Sequence, residues 1–177
     1  MKKILVVIDM QKDFITGALG NEQTRAVVSR VCEKIKASKE NADTSIFYTK
    51  DTHGEDYLKT MEGAKLPVVH CIEGTDGWEL IPEIDKLVRE EDYIVCKETF
   101  GAKDLISLLQ ELYPEGVEEI ELVGVCTDIC VIANAMIIKA YFPNSRIIID
   151  EKCCAGVTEQ SHEIALKAMA MCHIEIV

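Results

Sequence analysis

Three kinds of side chain stand where they could act together: a carboxylate at Asp9, an amine at Lys97 and a thiol at Cys126 or Cys130. Each follows a short apolar run, at residues 4–8, 93–96 and 119–125. A thiol has an ordinary pKa near 8.5 and is mostly protonated at neutral pH. The stretch Gly124-Val125-Cys126-Thr127-Asp128 reads as the turn into a helix over about residues 129–140. The partial positive charge at a helix start favours thiolate, and a lysine ammonium adds to it. A carboxylate could accept the thiol proton and later activate water, while backbone N–H groups of the turn meet a developing oxyanion. That is acyl transfer through a thioester. Spacing alone leaves the sulfur open, with Cys126 at the strand end and Cys130 one helical turn later. Each residue also has a plainer reading: a helix cap for Asp9, a solvated ammonium for Lys97, core packing for either thiol. Only the combination is informative.

A second group is Asp51-x-His53, with His70 further on. One carboxylate and two imidazoles suit Zn²⁺, Fe²⁺ or Mn²⁺ and leave coordination positions for water or substrate. Asp-x-His also arises by chance, and His70 could be a buried, hydrogen-bonded histidine. His162 and His173 fall in the last helix and strand and read as structural.

The elements that must position these groups alternate. Strands are expected at 4–8, 45–49, 93–96, 119–125, 146–149 and 173–177, several of them apolar throughout, as strands covered on both faces are. Amphipathic helices are expected at 22–36, 104–112 and 158–170, the last with Thr158 as N-cap. The pattern implies one domain over residues 1–177, an α/β fold of three layers: a doubly wound, mostly parallel six-stranded sheet with helices on both faces. Ligands bind such sheets beyond the carboxyl ends of the strands, where Asp9, Asp51, His53, Lys97, Cys126 and Cys130 all fall. The segment 50–90 breaks the alternation and is too long to be an idle loop.

Composition narrows the partners. In 177 residues, 31 acidic side chains oppose 19 basic ones, a formal net charge of −12, which repels phosphate backbones and anionic lipid. Nucleic acid and membrane are therefore not expected partners. Residues 4–8 after Met1-Lys2-Lys3 are too short for the core of an export signal, so the expected location is cytoplasmic. Eight cysteines in a chain that is 48% hydrophobic need no disulfide framework, and no Cys-x-x-Cys pair marks a zinc ribbon. Most of them, Cys96 among them, are expected to be core packing. A redox-sensing binding module using Cys126, Cys130, Cys153 and Cys154 is the alternative from another class.

The motifs Asp9-Met10-Gln11-Lys12-Asp13-Phe14, Asp51-Thr52-His53, Pro67-Val68-Val69-His70, Lys97-Glu98-Thr99-Phe100-Gly101 and Gly124-Val125-Cys126-Thr127-Asp128-Ile129-Cys130-Val131 run in the order of the isochorismatase-like cysteine hydrolases, which the chain resembles over nearly its whole length, nicotinamidases most of all. The resemblance implies a triad of Asp9, Lys97 and Cys130. Cys126 falls where the family has a variable small residue. It also implies a cis Val125–Cys126 peptide, an oxyanion site made by the amides of Cys126 and Cys130, and a divalent metal, zinc first with iron or manganese as alternatives, on Asp51, His53 and His70. The implied reaction is hydrolysis of a small, nicotinamide-like carboxamide; an N-carbamoyl, ureido or other small amide is the alternative within the family. Relatives often form dimers or tetramers, so a homo-oligomer is an open expectation. Phe14 matches a pocket aromatic. The chain departs from the pattern at Gly54, at Pro67, where an aromatic residue is common, and at Asn134, where threonine is frequent. Tyr57 or Trp78 is expected to replace the missing part of the pocket wall.

Overall fold

The computed structural model describes residues 2–177. In chain order the elements are β1 (Lys3–Ile8), α1 (Lys12–Ile15), α2 (Glu22–Ala26), α3 (Val28–Lys39), β2 (Thr44–Asp51), α4 (Met61–Lys65), α5 (Pro82–Asp85), β3 (Tyr93–Lys97) and α6 (Lys103–Leu112). They continue with β4 (Glu119–Val125), a π-helical turn (Thr127–Val131), α7 (Ile132–Tyr141), β5 (Arg146–Ala155), α8 (Glu159–Met171) and β6 (Glu175–Ile176). The strands form one sheet in the order β3-β2-β1-β4-β5-β6, every pair parallel. The expected doubly wound α/β architecture is therefore present. Among the described residues no helix is long and apolar enough to cross a membrane.

Alternate residues of each central strand feed two cores. Ile4, Val6 and Ile8 of β1 face the layer that holds Leu105, Leu109, Ile138 and Met169 of α6, α7 and α8. Leu5 and Val7 face Val31 and Ile35 of α3 and Ile84 of α5. Burying an aliphatic side chain of this size contributes about 2 kcal/mol, so the two-sided burial of β1 and β4 holds the centre of the sheet.

The chain reverses direction across the sheet between β1 and β4, and this switch point is where such folds place a ligand. Gly124 lets the two strand ends approach there. It has φ of 117°, and a Cβ added to it would lie 2.2 Å from the Ile8 carbonyl oxygen. On the other side of β1, Asp51 closes β2 directly opposite Lys97 at the end of β3.

Several details differ from expectation. The helix expected over 22–36 is two helices, broken at Val27, the first begun by a capping box between Asn21 and Thr24. Strand β5 runs on to Ala155 rather than ending at residue 149. A bulge opposite Leu122–Gly124 takes up the polar run Asp150-Glu151-Lys152, after which pairing resumes with Cys154 opposite Gly124. Thr158 caps α8 as expected, its side chain accepting from the Ser161 amide. Cys96 is not core: β3 is an edge strand and Cys96 points outward with Ile94. Cys153 and Cys154 are buried on opposite faces of β5, one in each core, so they cannot pair with each other.

Candidate active site

At the carboxyl ends of β1, β2, β3 and β4, Asp9, Asp51, Lys97 and Cys130 meet. Lys97 is the hub: its Nζ lies 2.8 Å from Asp9 Oδ2, 2.9 Å from Asp51 Oδ1 and 3.5 Å from Cys130 Sγ. Asp9 is fully buried, with φ of 48°, so β1 ends in a left-handed residue. Its Oδ1 accepts from the Thr49 hydroxyl at 2.6 Å. Its Oδ2 is paired with the Lys97 ammonium, and the Cys130 thiol lies within hydrogen-bond reach of the same carboxyl group.

Burial raises the Asp9 carboxyl above its usual value; Lys97 opposes that rise and Asp51 adds to it. Burial alone would lower the Lys97 ammonium, but Asp9, Cys130 and Asp51 outweigh it and hold the amine well above its ordinary value. The Cys130 thiol is pushed well up by burial and by Asp9, against the pull of Lys97. Burial and Asp9 therefore work against the thiolate that the helix start and Lys97 were expected to favour. The thiol thus faces a carboxyl whose own proton affinity burial has also raised. Such a pair can pass a proton at the moment the sulfur is consumed.

Cys130 sits in the π-helical turn that follows a cis Val125–Cys126 peptide, the isomer that the resemblance implies. Asn134, also fully buried, ties this turn to the loop after Lys97. Its Oδ1 accepts from the Ala102 amide at 2.9 Å, and its Nδ2 donates to the Phe100 and Cys130 carbonyls at 2.9 and 2.8 Å. His162 is structural, as expected, its Nδ1 2.8 Å from the Thr127 hydroxyl.

Asp51, His53 and His70 converge next to this hub, and Glu62 of α4, which the sequence reading missed, joins them; their ligand atoms lie within 4.8 Å of one another. His53 Nε2 is 2.9 Å from Asp51 Oδ2 and 3.7 Å from Glu62 Oε1, and His70 Nε2 is 3.6 and 3.8 Å from the same two oxygens. Four donors around one ion at metal–ligand distances of ~2.1 Å would stand about 3.4 Å apart in a tetrahedron, so this set fits a divalent cation. His70 Nδ1 donates to the Val68 carbonyl at 2.8 Å, which leaves Nε2 facing the other three donors. Burial opposes ionisation of Asp51, yet hydrogen bonds from His53 and His70 together with Lys97 hold its carboxyl well below the usual range.

The residues Gln11 to Asp13 brace this cluster. Gln11 Oε1 accepts from the Asp51 amide at 2.7 Å, and its Nε2 donates to the Asp51 and Trp78 carbonyls, both at 2.8 Å. Asp13 Oδ2 accepts from the Cys71 amide at 2.8 Å, where φ is 46°, one residue past His70. Gly77 leaves room for that carboxylate: a Cβ there would fall 2.2 Å from it.

A cavity of about 660 Å³ opens onto the site; Cys126, Cys130, Asp51 and His70 line it together with Phe14, whose ring meets His70 edge-on. Tyr57 and Trp78 do not line it, against expectation. Tyr57 packs its ring 4.7 Å from His53 and 4.9 Å from His70 and donates its hydroxyl to the Leu66 carbonyl, behind the histidines. Trp78 lies under the Lys50 ammonium, 3.1 Å away, and donates Nε1–H to the Thr52 hydroxyl. Leu66 of the segment after α4 lines the cavity instead, and Pro67 is exposed.

A doubly wound sheet with a Cys–Lys–Asp cluster at its switch point, flanked by a metal-ligand set, defines a class of cysteine hydrolase. The isochorismatase domain model matches residues 3–177, and the chain belongs to the isochorismatase family. It is similar to the nicotinamidase/pyrazinamidase of Mycobacterium tuberculosis, 28% identical over 99% of this chain and 98% of that one. The crystal structure of a nicotinamidase/pyrazinamidase from Bacillus subtilis superposes with a TM-score of 0.87 at 28% identity, covering all of both chains. That of a Pyrococcus horikoshii pyrazinamidase in complex with zinc does so with 0.85 at 27% identity, over 100% of this chain and 99% of that one.

Proposed function

We propose that this protein hydrolyses a small, nicotinamide-like carboxamide to the acid and ammonia, with Asp9, Lys97 and Cys130 as its catalytic residues. The observation that carries this reading is the placement of Lys97 Nζ 2.8 Å from Asp9 Oδ2 and 3.5 Å from Cys130 Sγ, against a cavity that reaches the sulfur. The names of the relatives support the same reaction.

Cys130 Sγ attacks the carboxamide carbon as its proton moves to the Asp9 carboxylate, which lies within hydrogen-bond reach of the thiol. The backbone amides of Cys126 and Cys130 hold the oxyanion. The tetrahedral adduct collapses, the C–N bond breaks, and ammonia leaves with the proton that Asp9 carried. Asp9 then takes a proton from water as the water attacks the thioester carbon. Release of the acid returns that proton to the Cys130 sulfur. Lys97 keeps its charge throughout and offsets the anion as it passes between carboxylate and sulfur.

Asp51, His53 and His70, with Glu62, would hold a divalent ion; zinc suits the set, and its second carboxylate also suits iron or manganese. When bound, the ion would supply a Lewis acid beside the reacting amide and help to position the substrate. The ready donor set favours this metal-bearing branch over the N-carbamoyl alternative. Ammonia release by zinc-loaded protein given nicotinamide or pyrazinamide tests the proposal. Turnover of either is expected, and no release from both contradicts it.

A further inference from the structure

Helix α4 forms one wall of the cavity: Met61, Glu62, Lys65 and Leu66 all line it, with Met61 and Lys65 one turn apart on the same face. Of the carboxylates in the lining, Asp51 pairs with the Lys97 ammonium, and Asp51 and Glu62 both face the two histidines. Lys65 is different. It makes no ion pair or hydrogen bond among the described residues, in a chain where acidic side chains outnumber basic ones 31 to 19. The rest of the wall is mostly apolar, from Phe14, Leu19, Phe100, Ile129 and Val157. A cavity of about 660 Å³ falls in the middle of the range that holds drug-sized ligands, well beyond one pyridine ring.

From this we propose that Lys65 is a specificity residue, and that the site takes amides in which an apolar body joins the carboxamide to an anionic group, a carboxylate above all. The inference rests on the amidase reading and names its substrate class. The carboxamide reaches Cys130, the apolar body lies against Phe14 and Ile129, and the carboxylate meets the Lys65 ammonium at the mouth. An ion pair at a solvent-accessible mouth changes affinity by about fivefold, and salt weakens it.

The test compares terephthalamate, a benzene ring with a carboxamide and a carboxylate at opposite ends, and its longer homologue para-carbamoylphenylacetate with neutral para-toluamide. Zinc-loaded wild type, Lys65→Met and Lys65→Glu are each assayed for ammonia release at low and high salt. The expected result is a kcat/KM preference of about fivefold for at least one carboxylate substrate in the wild type, carried by KM, shrinking with salt, lost in Lys65→Met and reversed in Lys65→Glu. Equal kcat/KM in the wild type, or a preference that survives Lys65→Met, overturns the inference while leaving the amidase reading intact. Should no amide be hydrolysed, nicotinamide included, the amidase reading fails instead. Calorimetry with terephthalate then judges Lys65 alone: weaker binding to Lys65→Met upholds the anion contact, and unchanged binding removes it.

Discussion

Lys97 and Asp51 stand opposite each other at the ends of neighbouring strands, and the 2.9 Å contact between Lys97 Nζ and Asp51 Oδ1 joins two pieces of chemistry through one carboxylate. The other oxygen of Asp51 faces His53 at 2.9 Å and His70 at 3.6 Å. The Asp9–Lys97–Cys130 cluster and the Asp51–His53–His70 cluster are thus one connected network. Asp51→Asn is expected to lower zinc affinity and kcat/KM together, each by on the order of 100-fold, as loss of a group fixing a metal site does. Atomic absorption on the dialysed protein and an ammonia assay measure the two effects; loss of one without the other would mean the halves act separately.

Glu62 is expected to bind the ion directly. Glu62→Ala should weaken zinc binding by about tenfold or more while the fold, read by circular dichroism, stays intact. Unchanged affinity in a competition titration with a chelator would place Glu62 outside the coordination sphere.

The pH profile follows from Asp9. The base must be unprotonated to accept the thiol proton, and burial raises its pKa above the ordinary carboxylate value of about 3.9. Activity should therefore rise with pH through an apparent pKa above that value. The Cys130 thiol is raised as well, so the alkaline limb should lie above the usual thiol range near 8.5. Measured kcat/KM between pH 4 and 10 gives the acid limb and shows whether activity holds past pH 8.5; an acid limb at or below about pH 4 would contradict the buried-base account.

The cysteines should separate by burial. Cys96 and Cys172 are exposed and should alkylate at pH 8. Cys126 and Cys153 are buried, with thiols pushed up to about 12, first by desolvation, and should stay unmodified in the native protein. Peptide mass spectrometry after brief iodoacetamide treatment reads the pattern.

Asn134 satisfies three backbone groups at once, so Asn134→Ala leaves them unpaired in a buried setting. A loss of about 3 kcal/mol is expected, measured as a lower denaturant midpoint. Asn134→Thr should recover part of it, since a hydroxyl can replace one of the bonds.

What could be read in the sequence was the periodic part. The β-branched runs located all six strands, and the residues at their ends meet because a parallel sheet aligns those ends. What could not be read depends on distant partners. Glu62 lies on the short helix α4, between His53 and His70, and no local spacing marks it as a ligand. Gln11 is a brace only because folding brings its amide to the backbone of Asp51, and Thr49 matters only because β2 lies beside Asp9. Tyr57 and Trp78 carried the right chemistry for a pocket wall, but the first packs behind the metal-ligand histidines and the second under Lys50. The polar run 150–152 concealed the second half of β5, because a bulge accommodates it without ending the strand.

The central claim is that the Cys130 sulfur is the nucleophile and that its neighbour Cys126 supplies only a backbone amide. Ammonia release from nicotinamide by zinc-loaded Cys130→Ala and Cys126→Ala, measured side by side with the wild type, tests this most directly. The account predicts a loss of at least about 1,000-fold in Cys130→Ala, with Cys126→Ala keeping most of its activity. Sustained turnover by Cys130→Ala, or loss of activity in Cys126→Ala alone, would contradict it.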